Sequence, residues 1–218
     1  MEMNTLNVSA TFNVFRLLTR PPLCLPHATV STFNQLPVPL NAAFDKKYGK
    51  VDIRAVVLDK DNCFAWPKEN GVYKPYEDHF QRLRTAYPGR RLLIVSNTAG
   101  ALSLDTTLTL ASAVTVSTGL HVLPHASKKP GCGADIMVYF AQHPETGVTR
   151  PEHVAVVGDR LSTDVMMANL MGSYAVWVKD GVVPREEIGV FARLEQKIGG
   201  WLQKKGYEAP VPESQFEE

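Results

Sequence analysis

The apolar run Ala55-Val56-Val57-Leu58, followed at once by Asp59-Lys60-Asp61, constrains this chain more than any other feature. Four consecutive apolar residues that end in polar ones predict a short strand buried on both faces. Such strands belong to open α/β sheets, which bind their ligands beyond the carboxyl ends of the strands. We therefore expect the carboxylates of Asp59 and Asp61 to face one pocket at that edge of the sheet.

Two carboxylates at this spacing suit phosphoryl transfer. One can attack phosphorus to form an aspartyl-phosphate, and the other can protonate the departing oxygen and then activate water. By itself, an Asp-x-Asp after a strand is also found as a helix cap, a turn or an incidental metal site. A calcium-binding loop is disfavoured, because the required glycine is missing and Asn70 stands where the bidentate glutamate belongs.

The rest of the chain alternates between strand-like and helix-like segments. Strands are predicted at 54–58, 92–96, 113–117, 153–157 and 174–178, and helices at 77–87, 103–110, 133–143, 162–171 and 185–205. This alternation predicts an α/β domain built on a doubly wound parallel sheet, over residues 45–218. With 218 residues, of which 44% are hydrophobic, the chain can bury the core of one such domain.

Residues 1–44 are predicted to form an amphipathic, proline-containing arm before that domain. Between Glu2 and Asp45 there is no acidic residue, whereas Arg16 and Arg20 stand among many apolar side chains. The first part of the arm suits an interfacial helix, a transit peptide or a helix packed on its own domain. Five prolines between residues 20 and 44 predict an extended connector.

Charge and cysteine content exclude several classes of protein. The formal net charge is +1, from 23 basic and 22 acidic residues, so no overall field attracts nucleic acid. The three cysteines, Cys24, Cys63 and Cys132, form no C-x-x-C pair, which argues against a disulfide framework or a zinc site. None of them has an arginine six residues later, which excludes a cysteine-dependent phosphatase. No apolar run reaches the length of a transmembrane helix.

Two further segments carry polar residues where phosphate would bind. Ser96 and Asn97 end the second apolar strand, where the serine can donate to a phosphoryl oxygen or serve as a helix cap. Lys128 and Lys129 come before a helical run, and either could neutralise charge in a transition state. We favour Lys129, because Pro130 suits the first turn of the next helix and places Lys129 at its entrance.

The last polar segment follows the strand that ends at Val157. Asp159 comes after Gly158, and we expect it near Asp59 at the same edge of the sheet. Magnesium binds through one or two carboxylates and the phosphate of a substrate, which suits this pair. Asp164 is a further candidate ligand, although it could instead cap the helix that follows.

In this order, the four segments resemble the haloacid dehalogenase superfamily of phosphotransferases, over about residues 50–180. The resemblance implies that Asp59 is the nucleophile and Asp61 the general acid and base. It implies Ser96 and Lys129 as phosphoryl-binding residues, with Asn62, Asn97 and Lys128 as further substrate contacts. The ligands of Mg²⁺ would be Asp59, the backbone carbonyl of Asp61 and Asp159, with Asp164 as an additional or supporting ligand.

The spacing of these segments leaves little room for the cap domain that many members of that superfamily carry. Residues 64–76 and 100–127 are long enough for little more than the ordinary strands and helices. We therefore expect a capless, open site. An open site suits a phosphate carried on something large, such as a protein, a nucleic acid or a membrane lipid.

Longer segments resemble the fungal mitochondrial phosphatidylglycerophosphatase family, including Asp59-Lys60-Asp61-Asn62, Val-Ser-Asn-x-Ala-Gly and Val-Val-Gly-Asp-Arg-Leu-x-Thr-Asp. The resemblance implies dephosphorylation of phosphatidylglycerophosphate on the way to cardiolipin, at the matrix side of the inner mitochondrial membrane. The substrate would be a phospholipid at a membrane surface. The sequence leaves open whether the chain forms a homo-oligomer. The chemistry of the residues fits equally a soluble phosphatase acting on a small metabolite or a phosphoprotein. A scaffold that has lost activity would predict a broken motif, and no motif is broken.

Overall fold

The computed structural model describes residues 19–44, 46–184, 186–187 and 189–212. Its centre is a six-stranded sheet in which the neighbouring strands are all parallel, in the order β1-β6-β5-β2-β3-β4. The strands are β1 (Ala28–Val30), β2 (Ala55–Leu58), β3 (Leu92–Ile94), β4 (His121–Val122), β5 (Val154–Gly158) and β6 (Tyr174–Val178). The predicted doubly wound parallel sheet is confirmed.

The strand order reverses direction at β2. From β2 the chain moves outward to β3 and β4, and then returns to β5 on the other side of β2. In such sheets the crevice beyond the carboxyl ends of the two strands at the reversal is the usual ligand site. The residues that follow β2 and β5 therefore border that crevice.

Both faces of the sheet are covered, which explains why its strands are continuous apolar runs. In β2, Val56 and Leu58 pack into one buried cluster, whereas Ala55 and Val57 pack into the other. Alternation of this kind follows from the two-residue period of a strand. Helices α1 (Glu77–Ala86) and α2 (Thr109–Thr118) contribute to the first cluster, and α3 (Gly133–Ala141) and α4 (Met166–Met171) to the second.

The segment between β3 and β4 differs from the prediction. Residues 109–118 form α2, so the strand predicted at 113–117 is wrong, as is the helix predicted at 103–110. The side chain of Asp105 accepts hydrogen bonds from the backbone N–H groups of Leu110 and Ala111, at 3.0 and 2.8 Å, and so satisfies donors at the start of the helix. The β-branched residues that suggested a strand are compatible with this packed helix, because tertiary contacts override weak propensities.

Residues 20–44 pack onto the domain, with one strand in the sheet, and do not form the predicted extended connector. Strand β1 pairs in parallel with β6 at the edge of the sheet, with Ala28 opposite Val176 and Val30 opposite Val178. Phe33 and Leu40 are fully buried in the same cluster as β2. Two of the five prolines lie in the 3₁₀ turn Pro21–Cys24, and Pro39 directly precedes another such turn. The amphipathic part of the predicted arm, residues 1–18, lies outside the described residues.

The final helix, α5 (Val190–Lys204), begins five residues later than predicted and packs beside the loop that follows β5. Between β2 and α1, and between β3 and α2, the chain forms only loops and single turns, so neither of these two described segments contains a cap domain. In the part of the chain that the structure describes, no helix has the length and hydropathy needed to cross a membrane.

Candidate active site

Three carboxylates, of which those of Asp59 and Asp164 are buried and that of Asp159 is half-buried, meet where the strand order reverses. Asp59 follows β2, Asp159 follows the neighbouring β5, and Asp164 lies in the π-helical turn Leu161–Val165. One carboxylate oxygen of each lies within 4.8 Å of the others. We call Asp59, Asp159 and Asp164 the acidic cluster. The structure thus brings together three of the predicted metal ligands from two separate segments.

Asp164 reaches the cluster because the chain turns tightly after β5. A Cβ atom at position 158 would lie 2.3 Å from Cγ of Asp164, so only glycine leaves space for this side chain. Asp164 accepts a hydrogen bond from the backbone N–H of Arg160 at 3.2 Å, four residues before it. It therefore points back toward β5 and does not act as a side-chain cap of α4, which was the alternative interpretation.

Lys129 joins two members of the cluster. Its Nζ donates to Asp59 Oδ1 at 2.5 Å and to Asp164 Oδ1 at 2.6 Å, and the ammonium group is buried. Lys128 is exposed, so the structure places Lys129 and not Lys128 at the cluster. The sequence argument for Lys129 placed Pro130 in the first turn of the next helix, and this placement was wrong. Helix α3 begins at Gly133, and Pro130 lies in the turn before it.

The electrostatics of the cluster favour a bound cation. Burial, together with the charges of Asp164 and Asp61, raises the pKa of Asp59 to about 7 despite the nearby Lys129. Burial and the charges of Asp59 and Asp164 also raise the pKa of Asp159 well above its usual value. One lysine cannot neutralise three carboxylates. Because carboxylate oxygens are the ligands that Mg²⁺ prefers, the residues present fit a magnesium ion.

Asp61 has quite different surroundings. Lys60 Nζ donates to Oδ1 of Asp61 at 2.5 Å, and the backbone N–H of Lys68 donates to the same oxygen at 3.0 Å. Thr98 Oγ1 donates to Oδ2 at 2.6 Å, with Ser96 Oγ 3.3 Å from the same oxygen. Burial alone would raise the pKa of Asp61, but these hydrogen bonds and the Lys60 charge outweigh it and lower the pKa.

The two predicted asparagines bond within the protein. Asn62 Nδ2 donates to Asp159 Oδ2 at 2.7 Å, and Asn62 Oδ1 accepts from the backbone N–H of Val183 at 2.7 Å. Asn97 Oδ1 accepts from the backbone N–H of Lys129 at 2.7 Å. Each amide therefore holds a predicted catalytic or metal-binding residue in place, and substrate contact by Asn62, Asn97 or Lys128 stays a prediction.

Four residues that sequence reasoning missed support the site: Lys60, Thr98, His125 and Glu195. The ring of His125 lies between two carbonyl oxygens, 2.9 Å from that of Ser96 and 2.8 Å from that of Ser127, and so links two site loops. Thr98 stands two residues after Ser96, a spacing that could have suggested a second hydroxyl at the site. Lys60 was visible between the two aspartates but was given no role.

An open, parallel α/β sheet with this set of carboxylates, a buried lysine and hydroxyl groups at its reversal point defines a phosphoryl-transfer type of site. The chain belongs to the family of mitochondrial PGP phosphatases, whose family model matches residues 8–183.

The chain is similar to two curated fungal proteins over most of its length. It is 45% identical to the mitochondrial phosphatidylglycerophosphatase GEP4 of Saccharomyces cerevisiae, over 90% of this chain and 99% of that protein. It is 30% identical to a probable mitochondrial phosphatidylglycerophosphatase of Schizosaccharomyces pombe, over 92% of each chain. A chloroplastic phosphatidylglycerophosphate phosphatase 1 of Chlamydomonas reinhardtii is 33% identical over 63% of this chain and 48% of that protein.

Among solved structures, a p-nitrophenyl phosphatase from Archaeoglobus fulgidus aligns with 93% of this chain and 87% of its own. The TM-score is 0.23 and the sequence identity is 14%. A likeness this weak adds nothing to the fold described above.

Proposed function

We propose that this protein hydrolyses the terminal phosphomonoester of phosphatidylglycerophosphate to give phosphatidylglycerol and inorganic phosphate. The observation that carries the proposal is the acidic cluster with Lys129, in a chain that is 45% identical to a named phosphatidylglycerophosphatase over nearly that whole protein. The substrate comes from the relatives, and the phosphoryl chemistry comes from the residues.

In the proposed reaction, a carboxylate oxygen of Asp59 attacks phosphorus. A new bond forms between an Asp59 carboxylate oxygen and phosphorus, giving an acyl phosphate, while the bond from phosphorus to the glycerol oxygen breaks, and a proton passes to that oxygen. Water then attacks the aspartyl-phosphate, which releases phosphate and restores the carboxylate. Lys129, held 2.5 Å from Asp59 Oδ1, is placed to offset negative charge on the phosphoryl oxygens.

Asp59, Asp159 and Asp164 would hold a magnesium ion, with the backbone carbonyl of Asp61 as a further oxygen ligand. When bound there, Mg²⁺ supplies positive charge that reduces repulsion between the attacking carboxylate and the phosphoryl group. Asn62 keeps Asp159 oriented for this role through its 2.7 Å hydrogen bond.

Asp61 is proposed as the group that moves the proton. Its lowered pKa suits the second step, in which a charged carboxylate removes a proton from water. The first step needs a protonated Asp61, whose donors Lys60, Lys68 and Thr98 all favour the charged form. We infer that the bound substrate displaces part of this donor set, so that Asp61 takes up a proton before the leaving group departs.

We also propose that the protein works at the matrix side of the inner mitochondrial membrane, on the way to cardiolipin. Both fungal relatives are named as mitochondrial, and an open site suits a phosphate on a lipid headgroup. Residues 1–18, with their apolar side chains and Arg16, would provide membrane contact. Removal of residues 2–18 tests the proposed membrane contact. The deletion stops at residue 18 because a longer one would destroy β1 and its core contacts.

The central experiment measures phosphate release by the full-length protein from phosphatidylglycerophosphate in phosphatidylcholine vesicles. Glycerol 3-phosphate and p-nitrophenyl phosphate serve as soluble comparisons, with the Asp59→Asn variant as control. We expect turnover of the lipid to exceed that of both soluble esters, and phosphatidylglycerol to accumulate. Preference for the soluble esters would instead support a soluble phosphatase acting on a small metabolite.

A further inference from the structure

Helix α5 reaches the loop of the acidic cluster through one carboxylate, Glu195. Glu195 Oε1 accepts from Arg160 Nη2 at 2.6 Å and from Ser162 Oγ at 2.6 Å, and Oε2 accepts from Arg160 Nε at 3.2 Å. The Glu195 side chain is only 12% exposed, whereas that of Arg160 is 38% exposed, so the carboxylate is the shielded partner of this pair. Paired charge-assisted hydrogen bonds of this geometry are among the stronger polar contacts in proteins.

The next turn of the helix touches the residue between these two partners. A Cβ atom at position 199 would lie 2.6 Å from Cδ1 of Leu161, so glycine at this position lets α5 approach the loop closely. Residues 160, 161 and 162 are thus all held by two positions of one helix, 195 and 199. These three residues lie between Asp159 and Asp164, both members of the acidic cluster.

The loop has a reason to open when it is not held. Asp164 is buried and Asp159 half-buried beside Asp59, and like charges at this distance repel each other in a medium of low polarity. Arg160 adds a second difficulty, because its guanidinium stands next in sequence to Asp159. A guanidinium without a partner of its own would pair with a cluster carboxylate and compete with a cation for it.

We propose that Glu195 is a positioning residue for the cation site: it holds Arg160 away from the acidic cluster and fixes the loop in which Asp159 and Asp164 converge. Supporting contacts of this kind commonly change metal affinity by 10-fold or more. Glu195 lies beyond residue 183, where the family model ends, so the shared family pattern does not include it. The inference depends on the proposed magnesium site and is independent of which phosphate ester is the substrate.

The test measures binding of magnesium alone to the full-length protein, by calorimetry and by the rise in Tm on adding MgCl₂. We expect Glu195→Ala to weaken Mg²⁺ binding about 10-fold, while turnover of p-nitrophenyl phosphate at saturating Mg²⁺ stays within a few-fold of the native rate. Glu195→Gln keeps the shape and can still accept from Ser162, so it should lie between native and Glu195→Ala.

The matched control is Gln196→Ala, on the same helix. Gln196 Nε2 donates to the carbonyl oxygen of Lys179 at 3.1 Å, so this variant loosens α5 without touching residues 160–162. We expect it to bind Mg²⁺ as the native protein does. If Glu195→Ala fails to fold, Ser162→Ala removes one of the same contacts and should weaken Mg²⁺ binding in the same direction.

Three results would overturn the proposal. One is native Mg²⁺ affinity in folded Glu195→Ala, or in Ser162→Ala where the former does not fold. Another is an equal loss of Mg²⁺ affinity in Gln196→Ala, which would mean that any loosening of α5 weakens Mg²⁺ binding and that Glu195 has no specific role. The third is a fall in turnover at saturating Mg²⁺ with no change in Mg²⁺ affinity. Because Mg²⁺ binding is measured without a lipid, failure of the proposed lipid substrate would leave this result unaffected.

Discussion

Asp59 and Asp61 stand two residues apart in the chain, yet their surroundings have opposite effects. Asp59 is buried beside two other carboxylates, and its pKa is raised to about 7. Asp61 receives hydrogen bonds from Lys60, Lys68 and Thr98, and its pKa is lowered. One strand end therefore presents two different carboxylates. The cationic partner of Asp59, Lys129, does not offset burial and the neighbouring acidic groups, whereas the donors around Asp61 do offset its burial.

The difference suggests how the two carboxylates divide the work. A cation at the acidic cluster would relieve the repulsion around Asp59 and so favour its ionised, nucleophilic form. Asp61 needs no metal ion to be ionised, because Lys60 and the other donors already stabilise its charge, and this suits a base that acts on water. The pair follows a general pattern in which the environment gives two neighbouring carboxyl groups different roles.

Loss of the nucleophile should have the largest effect. An amide at position 59 attacks phosphorus poorly and offers a weaker ligand, so we expect Asp59→Asn to lower kcat by on the order of 10⁵-fold. The fold should survive, because the change removes one of three mutually repelling charges. Steady-state kinetics and a thermal melt on the same preparation measure both effects. Substantial residual turnover would rule out Asp59 as the nucleophile.

Loss of the proton-transfer group should have a smaller effect, and one that depends on the substrate. We expect Asp61→Asn to lower kcat by about 10²–10⁴-fold, the usual contribution of general acid–base catalysis. The loss should be greatest for an alkyl phosphate, whose departing oxygen needs a proton, and smallest for p-nitrophenyl phosphate. The ratio of the two rates in native and variant protein is the measurement. An equal loss for both esters would remove the acid role from Asp61.

Magnesium should stabilise the protein through the acidic cluster and not through the Asp61 side chain. At a Mg²⁺ concentration of 100 times Kd, binding to the folded state should contribute about 2.7 kcal/mol, equivalent to a Tm rise of roughly 5–10 °C for a chain of this size. Asp159→Ala should abolish this rise, because it removes a ligand of the ion. Thr98→Val should preserve it, because Thr98 contacts only the Asp61 side of the site. The comparison fails if both variants lose the rise.

The strands that carry the site were predictable because they are buried on both faces. For β2 and β5, burial on both sides requires an apolar run, and the first polar residues after it must lie at the edge of the sheet. The positions of Asp59 and Asp159 therefore follow from the sequence. Strand β1 was not predictable from the sequence, because its three residues lie at a sheet edge within a proline-rich segment and show no such apolar run.

The contacts that tune the site were beyond sequence reasoning. Thr98 meets Asp61 across 37 positions of the chain, and Glu195 meets Arg160 across 35. Such pairs depend on how helices and loops pack, and a single sequence with no alignment gives no signal for them. The secondary-structure prediction for residues 109–118 was wrong for a related reason. The β-branched residues of this segment are held in a helix whose first N–H groups are bound by Asp105.

Binding of magnesium should depend on pH through the raised pKa of Asp59. A protonated carboxyl is a poor metal ligand, so below about pH 7 the ion must displace a proton from Asp59. For one coupled proton, Mg²⁺ affinity should fall by up to roughly 10-fold for each pH unit below that value. Above that value, the Mg²⁺ affinity should become less sensitive to pH, because the carboxyl groups of the acidic cluster are then increasingly ionised.

Calorimetry at pH 6 in two buffers of different ionisation enthalpy counts the protons released for each ion bound. We expect at least one, since the pKa of Asp159 is raised as well. Thr98→Val removes a donor that lowers the pKa of Asp61, but it leaves the surroundings of Asp59 and Asp159 unchanged, so its proton count should match the native one. An affinity that does not change between pH 6 and 8 would mean that the metal-free cluster is already ionised. The contrast between Asp59 and Asp61 would then lie in geometry and not in charge.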